Sequence, residues 1–103
     1  MQPFDIFQAE HEFKDCHDPR PWLVIRPANT DGLVACFPIS GEDYSGRAYQ
    51  IRKEHPDFNA TGLNKTCYIH DESSYDVPIA AFKKHRGALT NKLLGEFKAH
   101  AGF

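Results

Sequence analysis

Two side chains on either side of Asp18-Pro19 could carry chemistry. His17 lies in a polar segment, and an imidazole that titrates near neutrality is the obvious group to take or give a proton. Arg20, directly before Pro21, carries a guanidinium that presents fixed donors to phosphate oxygens and keeps its charge at any working pH. Each also has a plainer reading: His17 as a solvated loop histidine, and Arg20 as a structural partner of Asp15 or Asp18.

Metal chemistry has less support. The chain's six histidines are scattered without the i, i+4 pairing that points two imidazoles at one ion, and its three cysteines (Cys16, Cys36, Cys67) form no C-x-x-C. No metal or cofactor is expected, and the cysteines read as reduced thiols. A net charge of −2 means that any nucleic-acid contact must be local, not a property of the whole surface. Two local basic groupings exist: Arg47 with Arg52 and Lys53, and Lys83 to Arg86. Either is also explained as a solvated surface. Tyr44, Tyr49 and Trp22 are the aromatic residues available for stacking on unpaired bases. Trp22 belongs to an apolar run and is assigned to the core, which leaves Tyr44, in a Gly/Ser-rich loop, as the better candidate.

The 103 residues, 41% of them apolar, suffice for one core and one domain spanning 1–103. No run of 18 or more apolar residues occurs, and the N-terminus lacks a signal-like pattern, so a cytoplasmic protein without a membrane segment is expected. Phe4 to Gln8 reads as a first strand, with Phe4 and Ile6 on one face. The continuous apolar run Trp22 to Ile25, bounded by Pro21 and Pro27, reads as a central strand buried on both faces. Asn29-Thr30-Asp31-Gly32 supplies a turn, and Leu33 to Ile39 returns as the hairpin partner. Arg47 to Arg52 and Thr66 to Asp71 alternate as two more strands, with His70 on the outer face of the second. Beyond Pro78 the period changes: Leu93, Leu94, Phe97 and Ala101 share a helical stripe, with Thr90 as N-cap and Gly102 as stop. Five short strands and one helix imply a mainly β fold, a small bent sheet or partly open barrel with the helix over one end.

Three motifs in this order are similar to those of the MazF/PemK family of toxins. They are Phe4-Asp5-Ile6-Phe7 followed by Arg20-Pro21-Trp22-Leu23-Val24-Ile25; Thr61-Gly62-Leu63-Asn64-Lys65-Thr66-Cys67; and Arg86-Gly87-Ala88-Leu89-Thr90. The resemblance implies an SH3-like barrel with a C-terminal helix. It also implies a metal-independent endoribonuclease that cleaves single-stranded RNA through the substrate's own 2'-hydroxyl. On that reading Arg20 holds the charged phosphorane, Ser40 contacts the scissile phosphate and His17 moves a proton. Lys65 and Thr66 line the RNA groove, with Arg47 and Tyr44 as further contacts. The implied partners are a cognate antitoxin and a second copy of the chain. Ser40 and Lys65 also read as a turn serine and an exposed lysine. Cys67 stands two residues after Lys65, where some members carry an acid, which keeps open a non-catalytic module that binds RNA or protein on the same barrel, or a fold-only structural or regulatory relative.

Overall fold

Four consecutive apolar residues cannot all face one side of a strand, so Trp22 to Ile25 needs apolar cover on both faces. The computed structural model describes residues 1–14, 16 and 18–103, and that cover is present. The described residues form strands Asp5–Ala9 (β1), Arg20–Arg26 (β2), Leu33–Ser40 (β3), Tyr49–Ile51 (β4), Cys67–Ile69 (β5), Tyr75–Pro78 (β6) and Phe82–Ala88 (β7), followed by the helix Asn91–Ala101 (α1). The strands pair antiparallel in the order β4-β5-β3-β2-β1-β7, with β6 alongside the first half of β3. The sheet curls into a small barrel-like body.

Alternation along the two central strands divides the interior. Leu23, Ile25, Phe37 and Ile39 enter one core with Ile6, Ile69, Leu93 and Phe97, so α1 covers that face. Trp22, Val24, Val34 and Cys36 enter a second core with Phe13 and Val77 on the opposite face. Gly32 takes the left-handed conformation, φ +72°, at the β2–β3 turn, as the Asp-Gly dipeptide predicts. No helix among the described residues is long and apolar enough to cross a membrane.

Among the described residues, seven strands replace the five expected. β6 offers only Tyr75 and Val77 as an alternating pair, and β7 reads Phe-Lys-Lys-His-Arg-Gly-Ala, with no apolar period. As an edge strand β7 has β1 on one side, and Lys83, Lys84 and His85 are exposed. The basic grouping before the helix is therefore largely an edge-strand surface, of the kind that discourages edge-to-edge pairing. Thr90 does occupy the N-cap position, but its side chain makes no capping bond. Asp57 Oδ2 instead accepts from the Leu93 amide at 3.1 Å, so the aperiodic loop before β5 caps the helix from outside. His55 Nε2 and Glu96 Oε1, 2.7 Å apart, make a second tie between that loop and α1.

The same loop is locked to the sheet by two glycines. Gly62, at φ +72°, lies so close to β7 that a Cβ there would collide with the Arg86 carbonyl. A Cβ on Gly87 would in turn collide with the Ala60 carbonyl. Arg86 fastens the contact: Nη2 donates to the Gly62 carbonyl at 2.7 Å, and Nη1 donates to Gln8 Oε1 at 2.6 Å. Gly95, on α1, is different, because nothing lies within 4 Å of a Cβ built on it. Gly95→Ala is expected to stabilise the fold by roughly 1 kcal/mol. Gly62→Ala and Gly87→Ala should each cost more than about 2 kcal/mol, because chain must move against chain. Thermal melts of the three variants check the pattern, and an unchanged melting temperature in Gly62→Ala would contradict the interlock.

Candidate functional site

Antiparallel register brings the first two site residues together. β2 and β3 pair Trp22 with Pro38 and Leu23 with Phe37, and the same register continued outward sets Arg20 opposite Ser40. Residues so placed have Cβ atoms about 5 Å apart on one face of the sheet. Lys65 approaches from the Gly62-locked loop, with its Nζ only 3.2 Å from where a Cβ on Gly41 would sit. Arg20, Ser40 and Lys65 thus line one groove of about 330 Å³, together with Cys16, Asp18 and Arg86. Arg20 packs its guanidinium over Phe13, Cζ to ring centroid 5.1 Å, and its buried Nε has no hydrogen-bond partner among the described residues.

Ser40 is 8% exposed, and its hydroxyl is held from two sides. It donates to the Glu42 carbonyl at 2.8 Å, and it meets Nε2 of His70 at 2.6 Å. The contact follows from the strand pairing. Ser40 is opposite Tyr68 in β5, and the His70 amide donates to the Pro38 carbonyl at 2.9 Å, which extends the ladder and makes His70 the diagonal neighbour of Ser40 on the same face. The expectation for His70 is corrected: that face of β5 is not solvent, and His70 is 4% exposed. Phe13, at 5.2 Å, and Tyr44, at 5.6 Å, cover its ring.

Burial pushes the His70 pKa below its ordinary value of 6.5, and the Lys14 ammonium pushes the same way. Glu72, Asp43 and the Glu42 backbone pull it back up without offsetting the burial. The imidazole is therefore neutral at pH 7, the form that accepts a proton. Burial also raises the Cys67 thiol pKa, against the opposing pull of the Lys65 and Arg86 cations. Cys36 is pushed up to about 12 by burial and by Asp76. Both thiols stay protonated, and Cys67 Sγ donates to the Lys65 carbonyl at 3.2 Å.

The remaining sequence candidates divide. Tyr44 and Arg47 line a second concavity, with Phe13, Lys14, His70 and Tyr75, on the other side of the Ser40–His70 contact. Thr66 lines neither concavity, and its Oγ1 accepts from the Lys53 amide at 3.0 Å. His17 lies outside the described residues, as does Asp15, one of the two acids considered as partners for Arg20. Arg86, singled out in sequence as part of a basic run and as the start of the third motif but given no role at the site, proves to be a groove residue. The chain matches no protein-family model, and no match is found among curated proteins.

The His70 shift has a stability consequence. The unfolded chain binds a proton on this imidazole near pH 6.5, whereas the folded chain resists it to lower pH. The contribution is therefore complete above that value and declines as pH falls through it toward the folded pKa. Denaturant unfolding between pH 7.5 and 5 is expected to show stability decreasing with acidity, and His70→Gln should flatten that slope. An identical slope in the variant would contradict a buried neutral imidazole.

Proposed function

We propose that the chain is an endoribonuclease of the MazF/PemK kind, cleaving single-stranded RNA without a metal. The observation that carries this reading is the groove in which Arg20 faces Ser40 across two strands while Lys65 closes from the third side. A guanidinium and an ammonium are suited to hold the non-bridging oxygens of a phosphodiester as negative charge builds on them. Once the Ser40 hydroxyl has turned from the Glu42 carbonyl onto the unprotonated Nε2 of neutral His70, the 2'-hydroxyl gives its proton to the Ser40 oxygen as the Ser40 proton passes to Nε2. The 2'-oxygen then bonds to phosphorus, and the bond to the 5'-oxygen breaks, with that oxygen taking a proton from solvent. The products are a 2',3'-cyclic phosphate and a 5'-hydroxyl end. The motif resemblance further supports a cytoplasmic toxin role, with a cognate antitoxin covering the groove and a homodimer as the working unit.

One observation favours the second reading, a non-catalytic module that binds RNA or protein. The Ser40 hydroxyl already donates to the Glu42 carbonyl, so it must turn before it can serve either phosphate or imidazole.

Incubation of end-labelled single-stranded RNA with the protein in excess chelator separates the two. Cleavage to cyclic-phosphate ends is expected, with Arg20→Ala slowing it roughly 10²–10³-fold, as loss of one preorganised charge-stabilising group does. Lys65→Ala should weaken the rate less. In His70→Gln the rise of rate with pH below 6.5 should disappear. RNA binding without cleavage moves the chain to the module reading, and cleavage unchanged in Arg20→Ala rejects the groove.

A further inference from the structure

The second concavity shares only His70 with the phosphate chemistry above. At about 220 Å³ it lies below the roughly 300–1,000 Å³ of sites for drug-sized ligands, and its scale is that of one planar ring system. Its walls are aromatic. Phe13 has ring centroids of Tyr44 and Tyr75 each at 5.9 Å, and Tyr44 remains 49% exposed although it packs on Phe13 and His70. A large ring presented half to solvent beside a cavity is a stacking surface. Lys14, held at φ +54°, carries its ammonium 5.4 Å from the Tyr44 centroid, and Arg47 lines the same cavity. Rings flanked by cations are the combination by which unpaired nucleotides are bound, the base on the ring and the phosphate on the charge.

A carboxylate stands among these rings and cations. Glu72 lines the cavity, and the Ser45 hydroxyl donates to its Oε1, which fixes the carboxylate in place. An ionised carboxylate offers acceptors only. Guanine alone among the four RNA bases presents two adjacent donors, N1–H and the N2 amino group, on its Watson–Crick edge. Adenine and cytosine place a ring acceptor beside their amino donor, and uracil flanks its one donor with two carbonyls.

We propose that this pocket takes a single unstacked guanine of an RNA strand, its ring against Tyr44 and its two donors on Glu72. Lys14 and Arg47 hold the adjoining phosphate. This rests on the RNA reading of the groove. The 2.6 Å contact between Ser40 and His70 separates the two concavities by one side-chain pair, so the guanosine is the nucleotide next to the bond that is cut.

Titration with GMP, AMP, CMP and UMP, followed by calorimetry and by the His70 imidazole resonances, tests the assignment. GMP is expected to bind roughly tenfold or more tighter than the others, and Tyr44→Ala to weaken it by a similar factor. Tyr44→Phe should keep the affinity. Glu72→Gln, at an exposed position, should erase the preference for GMP. Equal affinity for all four nucleotides, or GMP binding unchanged in both Tyr44→Ala and Glu72→Gln, overturns the pocket. RNA cleaved with no preference for a neighbouring guanine overturns it as well and leaves the groove reading intact. Guanine-selective binding with no cleavage of any RNA keeps the pocket and removes the nuclease.

Discussion

The backbone of the loop before β5 touches the backbone of β7 at Gly62 and Gly87, and much of the molecule's arrangement depends on that contact. Neither position has room for a Cβ, so the approach is closer than any side-chain packing allows. Arg86 turns the contact into a clasp by bridging the Gly62 carbonyl and Gln8 of β1. Three consequences follow in space. The loop's Asp57 reaches α1 and caps it, Lys65 is carried to the mouth of the groove, and β7, at one end of the strand order, is tied to the connection between β4 and β5 at the other. A helix of eleven residues with a glycine inside it has little stability of its own, so an external cap matters more here than in a longer helix.

The second organising relation is the diagonal pair across β3 and β5. β3 pairs with β2 on one edge and with both β6 and β5 on the other, so its final residue, Ser40, lies where three parts of the sheet meet. Arg20 arrives from one neighbour and His70 from the other. Polar groups this well buried are costly unless partnered, and the Ser40 hydroxyl is partnered on both sides. The imidazole is kept neutral by the same aromatic cover that shields it.

Charge is distributed to match. The chain carries a net charge of −2, yet Arg20, Lys65 and Arg86 line one concavity and Lys14 and Arg47 the adjacent one. A field of this kind is local: it acts within about a Debye length, roughly 8 Å at physiological salt, and leaves the remaining surface acidic.

Periodicity within the sequence determined much of this protein. The two-sided burial of Trp22 to Ile25, the Asn29 to Gly32 turn, the strands ending near Ser40 and Ile69 and the apolar stripe of α1 are all local patterns that the structure reproduces. The edge strand β7 left no such pattern, because a strand with one solvated face and basic side chains has no apolar period to read. Arg20 and Lys65 were identifiable as cations, and Ser40 as a hydroxyl at a strand end. Their meeting was decided by register, and register depends on an irregularity between Val24 and Arg26 that no residue type announces. His70 was placed correctly on the face opposite Cys67 and Ile69, but whether that face is wet depends on Phe13 and Tyr44, which are distant in sequence. Alternation assigns a side chain to a face; only the packed chain determines what covers it.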